Sequence, residues 1–200
     1  MTCYCALNLF SLTDASPDDT RNNPTIVAGF ALLTAERTAI AWKFDIVSDV
    51  VLCPTDEPRL LERLADCLPL ADHLIGWQIE RDVTSPLLIA AERVPPVLRH
   101  FLLCRLARAA AGNAIDRAIG YGGLRAPPFA TVALMRPVVE HVAPRAAIEA
   151  HWHAGNARAV DAALRVEALA LWRSFVTSAP RAVNDDVVAC TDSWAAGWRR

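Results

Sequence analysis

Two regimes of hydrophobic patterning divide the chain. In the first quarter, apolar and β-branched residues come in dense runs: CYCALNLFSL at 3–12, TIVAGFALLT at 25–34 and RTAIAWKF at 37–44. Such runs, bounded by polar and turn-forming residues, predict strands. The polar TDASPDDTRNNP that follows the first run reads as a long loop. Ala35-Glu36, between the second and third runs, is short enough for a hairpin, so the three strands form an antiparallel meander. The next stretch, IVSDVVLCPT, is partly extended. In DEPRLLERLADCL, Leu60, Leu61, Leu64 and Leu68 then repeat at helical spacing, with Thr55 or Asp56 as N-cap and Pro58 in the first turn.

The second regime is mostly helical, and a short strand introduces it. His73 to Trp77 is bounded by polar residues and too short for a helix, so it reads as a brief strand; Asp82 follows, and Ser85-Pro86 reads as the N-cap and first position of a helix running to about Arg93. Pro95-Pro96 interrupts it. VLRHFLLCRLARAAAG resumes at helical period, with Leu98, Phe101, Leu102 and Leu106 directed inward and Arg99, Arg105 and Arg108 outward. GYGGLRAPP at 120–128 reads as a loop, and FATVALM at 129–135 as a last strand. Two helices follow, one near 144–177 with a break around Gly155-Asn156 and one from about 184 to the end. The expected fold class is α/β: a mixed sheet of three antiparallel strands continued by parallel α/β crossovers, with helices on both faces and a helical C-terminal half.

Composition narrows the picture. A chain of 200 residues, 54% hydrophobic and 21% charged, can close one core and is expected to form a single domain over 1–200. Its net charge of −2 carries no global signature of a nucleic-acid binder, so any such contact would be local. The basic residues are almost all arginine, with Lys43 the only lysine, which reads as composition bias. The six cysteines form no CxxC pair and read as small buried hydrophobes in a reducing compartment, without disulfides. Neither a signal-peptide pattern nor an apolar run of about 18 residues occurs, so the expected location is the cytoplasm, with no membrane partner.

Few motifs carry chemistry. GxSxG, Walker A, HExxH and zinc-ligand spacings are absent, and Gly120-Tyr-Gly-Gly lacks the strand-to-helix setting of a dinucleotide site. His151 and His153, near Glu149, could share a metal only in an extended segment, because positions i and i+2 diverge on a helix. Arg99, Arg105 and Arg108 could contact phosphates or form a solvated face.

The stretch Leu74-Ile75-Gly76-Trp77-Gln78, followed by Asp82 and a helix ending at Arg93, resembles the second motif of the DnaQ-like (DEDD) 3′–5′ exonucleases, which share the ribonuclease H-like fold. Gln78 stands where those proteins have Asn, and Asp82 stands at their aspartate. The resemblance implies a site of four carboxylates holding two divalent ions, Mg²⁺ or Mn²⁺. The first motif, Asp-x-Glu on the first strand, corresponds to Asn8 and Phe10. The third corresponds to Asp186 or Asp192, with Arg181 or Val188 at the position of the general base. Neither Asn8 nor Phe10 is an anionic ligand, and neither base position can take a proton from water.

The resemblance therefore implies a degenerate exonuclease fold whose vestigial site comprises Asn8, Phe10, Asp82, Asp186 and Asp192, acting by binding a protein, a second copy or a single-stranded nucleic acid. Two alternatives stay open. One is an active metal-dependent exonuclease with relocated ligands, namely Asp82, Asp186 or Asp192, and Asp14; the other is an unrelated α/β interaction domain. Asp82 also reads as a turn or cap residue, and Asp185 and Asp186 as acids favoured at a helix N-terminus.

Overall fold

A computed structural model describes residues 2–13, 25–135, 141–178 and 181–198. Strands β1 (Thr2–Thr13), β2 (Thr25–Arg37), β3 (Trp42–Val50), β4 (His73–Gly76) and β5 (Ala114–Asp116) form one sheet in the order β3-β2-β1-β4-β5. β1–β2 and β2–β3 are antiparallel, whereas β1–β4 and β4–β5 are parallel. The α-helices are α1 (Glu57–Cys67), α2 (Ser85–Ala91), α3 (Pro96–Asn113), α4 (Phe129–Met135), α5 (Arg145–His153), α6 (Ala157–Val176) and α7 (Arg181–Trp198). The chain is thus α/β with an open mixed sheet. Among the described residues, no helix is long and apolar enough to cross a membrane.

Side-chain alternation on β1 divides the core. Cys5, Leu7 and Leu9 pack with Leu60, Leu64, Leu87 and Leu102 of α1, α2 and α3. Ala6, Phe10 and Leu12 point to the opposite face and pack with Ile148, Leu164, Ala168 and Trp172 of α5 and α6. Gly29 lets α6 approach β2 closely, since a Cβ there would lie 2.9 Å from Leu164 Cδ1. Ser48 Oγ donates to Asp161 at 2.5 Å and accepts from Arg165 Nε at 2.6 Å, pinning β3 to the same helix.

The meander has the expected order, but its turn lies elsewhere. Ala35 and Glu36 continue the ladder, opposite Phe44 and Lys43, and the reversal occurs at Thr38–Ala41, where the Thr38 hydroxyl accepts from Ala41 N–H at 3.0 Å. The expected strand at 129–135 is instead α4: Pro128 O accepts from Thr131 and Val132, and a helix starts readily after a proline pair. The fifth strand is Ala114–Asp116, in a stretch to which the sequence pattern assigns no element. Ser85 does not cap a helix. A π turn at Glu80–Thr84 runs directly into α2, because Pro86 has no N–H and its ring would clash with the Asp82 carbonyl in a regular turn. Phe101 is 39% exposed, with the Arg105 guanidinium 5.1 Å from its ring centre. Cys53 and Cys104 are exposed, unlike buried Cys3 and Cys5. The break at Gly155-Asn156 is present: Gly155 has φ +72°, and the Asn156 side chain caps α6 by accepting from Ala159 N–H at 3.1 Å.

Two polar devices complete the frame. Glu57, 4% exposed, accepts from Arg93 Nε at 3.0 Å, Arg93 Nη2 at 2.8 Å and Val27 N–H at 2.7 Å, joining α1, the end of α2 and the start of β2. On β3, the terminal strand of the sheet, Asp45 and Asp49 turn back to accept from the next N–H, Ile46 at 2.9 Å and Val50 at 2.8 Å. Those donors are then unavailable to another strand.

Arg93→Ala is expected to destabilise the fold by about 2 kcal/mol or more, since it leaves the Glu57 carboxylate buried without its cation, as read by urea denaturation. The double substitution Asp45→Ala, Asp49→Ala is expected to leave the fold intact and produce concentration-dependent self-association, as read by sedimentation velocity.

Candidate functional site

β4 pairs with β1 only over Tyr4–Ala6, because it ends at Gly76. Beyond Ala6 no strand among the described residues pairs with that edge of β1, and a cavity of about 310 Å³ lies against it. Leu7, Asn8, Leu9 and Ser11 line it from β1; Trp77, Arg81, Asp82 and Val83 from the segment after β4; and Phe129, Arg145, Ile148, Glu167 and Leu171 from α4, α5 and α6. In open α/β sheets this position, outside the carboxyl ends of parallel strands, is where ligand crevices form.

The turn that delivers Asp82 is built by β5. The Asp116 carboxylate accepts from the N–H groups of Gln78 at 2.9 Å, Ile79 at 3.2 Å and Ala118 at 2.8 Å. Gln78 sits at φ +45°, fully buried, and its Nε2 donates to Gly123 O at 3.0 Å and Ala126 O at 3.1 Å. Gly76 has no room for a side chain, since a Cβ would meet Ile79 Cγ1 at 2.7 Å. The Gln78 carbonyl then accepts from Asp82 N–H at 2.8 Å and opens the π turn. Trp77 forms one wall, its Nε1 donating to Pro127 O at 3.2 Å and its ring packed on Tyr121 and Phe129.

The polar side chains are two carboxyls, two guanidiniums, an amide and the Ser11 hydroxyl. Asp82 accepts from Arg81 Nε at 2.7 Å and Nη2 at 3.0 Å, a bidentate pair at the rim. Asn8 Nδ2 donates to Glu167 Oε2 at 3.0 Å and to Leu164 O at 3.4 Å. Arg145 lies over the Phe10 ring, 4.5 Å from its centre, donates to the carbonyls of Leu9 and Ser11, and pairs with Glu149 at 3.4 Å. Burial pushes the Glu167 carboxyl up from 4.5 to about 7, against the pull of Arg145 and the Asn8 hydrogen bond, and the Asp82 charge adds to the rise. Burial also pushes the Arg145 guanidinium down, opposed by Glu167, Glu149 and Asp82.

Of the residues singled out in the sequence, Asn8 and Asp82 share this cavity. Phe10 lies buried beneath Arg145. Asp186 and Asp192 lie on α7 and do not line the cavity; Asp192 instead accepts from Arg173 Nη2 at 2.7 Å. The carboxyl that meets Asn8 is Glu167 of α6, which sequence reasoning missed. Its signal is an acid one turn from Leu164 and Leu171, on the face that α6 buries. Asp14 falls outside the described residues. Arg99 and Arg108 are exposed on α3, while Arg105 donates to Leu68 O at 3.2 Å. His151 and His153 lie on α5, so the extended geometry needed for a shared metal does not arise.

The cavity does not fit a pair of divalent ions. Among the described residues, no three His, Cys, Asp or Glu side chains converge to hold a metal. Asn8 and Phe10 supply no anionic bridge, and Asp82 is already neutralised by Arg81. No protein-family model matches the chain, and no curated protein or solved structure matches it either.

The Glu167 shift has a definite sign. Its folded value lies above the unfolded one, so at low pH it costs nothing; stability falls as pH rises from about 4.5 to about 7 and is level above that. Glu167→Gln keeps an acceptor for Asn8 and is expected to flatten that slope and raise stability at pH 7.5 by about 1–2 kcal/mol, allowing for partial exposure. Urea denaturation across pH 4–8 reads both.

Proposed function

We propose that this chain is a ribonuclease H-like domain of DnaQ-like descent in which an arginine from α5 has replaced the metal centre, so that it acts by binding rather than by hydrolysis. The strand order β3-β2-β1-β4-β5, with β1 antiparallel to β2 and parallel to β4, supports the lineage. So does the convergence of Asn8 and Asp82 on one cavity.

The observation that carries the loss of catalysis is the position of Arg145. Its guanidinium lies on the Phe10 ring and holds the Leu9 and Ser11 carbonyls, beside the strand from which metal ligands would project. A fixed cation there supplies positive charge beside Glu167, as Arg81 does for Asp82, and it opposes the entry of a divalent ion. The net charge of −2 favours a protein partner over a polyanionic strand.

A 3′-labelled single-stranded oligonucleotide incubated with the protein and Mg²⁺ or Mn²⁺ is expected to remain intact, and calorimetry is expected to show no divalent-ion binding at the cavity. Metal-dependent shortening that disappears in Asp82→Ala would overturn the reading in favour of an active exonuclease. Salt-dependent strand binding removed by Arg99→Ala and Arg108→Ala would change the partner from protein to nucleic acid.

A further inference from the structure

Two side chains with ligand chemistry sit together on the outer surface of α3, away from the cavity. His100 and Cys104 are one helical turn apart and exposed, with Nε2 3.6 Å and Nδ1 4.0 Å from Sγ. A thiolate at about 2.3 Å and an imidazole nitrogen at about 2.0–2.1 Å from a tetrahedral Zn²⁺ are themselves about 3.6 Å apart. The pair therefore already stands at a chelating separation. It is also carried on a firm support, because Leu102 and Leu106 anchor the other side of α3 in the core.

The surroundings indicate what completes the site. Two ligands are half of a tetrahedral set. Val97 is 83% exposed and Phe101 39% exposed beside the pair, leaving an apolar strip on the helix. A two-fold contact puts the same patch on both sides. A second copy would bring another imidazole and another thiolate and would cover both apolar residues. Two thiolates balance the charge of Zn²⁺, so Arg108, one turn further along the same face, meets a neutral centre.

We propose that His100 and Cys104 form half of a binding site for a borderline-soft divalent transition metal of the Zn²⁺ type, closed by the same pair from a second copy of this chain. On binding, each thiol proton passes to solvent, and each imidazole coordinates as the neutral base. The inference does not depend on the function proposed for the cavity.

The full-length, tag-free, metal-free chain is titrated with Zn²⁺ and, as a coloured substitute, Co²⁺, while sedimentation follows its mass. The expected result is one metal per two chains, conversion of monomer to dimer reversed by a chelator, and a thiolate-to-Co²⁺ charge-transfer absorption. Cys104→Ser and His100→Gln should each lose the absorption and the dimer with circular dichroism unchanged. Mass independent of metal, one metal per chain in a monomer, or metal binding that persists in both variants would overturn the proposal; the first would leave the close contact as a thiol–imidazole hydrogen bond.

Discussion

The Asp116 carboxylate is the constraint on which the cavity depends. β4 is only four residues long and cannot by itself dictate where the following chain goes. Three N–H groups converge on Asp116 at 2.8–3.2 Å, two of them from the turn after Gly76. That anchorage holds Gln78 in its left-handed conformation, a strained state that persists only when its surroundings enforce it. With Gln78 held, the π turn starts at a fixed place and Asp82 arrives at the rim opposite Asn8. The short strand β5 thus matters less as sheet than as the carrier of one acid.

The same shortness of β4 creates the opening. A longer partner would have sealed β1 beyond Ala6; instead the carbonyls of Leu9 and Ser11 face sideways and need donors. Arg145 supplies them from α5, and its stacking on Phe10 removes the guanidinium face from water. Backbone satisfaction and site electrostatics are therefore met by one side chain.

The fold was more legible in the sequence than the site. Strand runs, leucine spacing in α1 and the Gly155-Asn156 break are local signals, and the structure carries them. The misplacements share one cause, which is that short elements are decided by tertiary contacts. Ala114–Asp116 is a strand because β4 offers it an edge, and 129–135 is a helix whose Phe129, Val132 and Ala133 pack with Trp77 and Leu171, despite a β-compatible composition. The site was half legible. Asn8 and Asp82 could be aligned by pattern, but the carboxyl facing Asn8 comes from α6, 159 residues away, and no linear motif ties Glu167 to β1. What marked it was an acid on the buried face of an otherwise apolar helix stripe.

The same arrangement makes the cavity a poor host for a metal ion even with an added carboxylate. An aspartate at position 8 would set a second carboxylate against Glu167 where an amide now donates at 3.0 Å, turning an attraction into a repulsion. The nearby cation, Arg145, is already committed to Leu9, Ser11 and Glu149, and Arg81 to Asp82. Asn8, Phe10, Arg145 and Glu167 thus form a mutually adjusted set: the amide donates to the half-buried acid, the acid holds the amide, and the aromatic ring carries one face of the guanidinium. The amide at position 8 and the cation at position 145 therefore act on the same carboxyl, so substitutions at the two positions are expected to be non-additive.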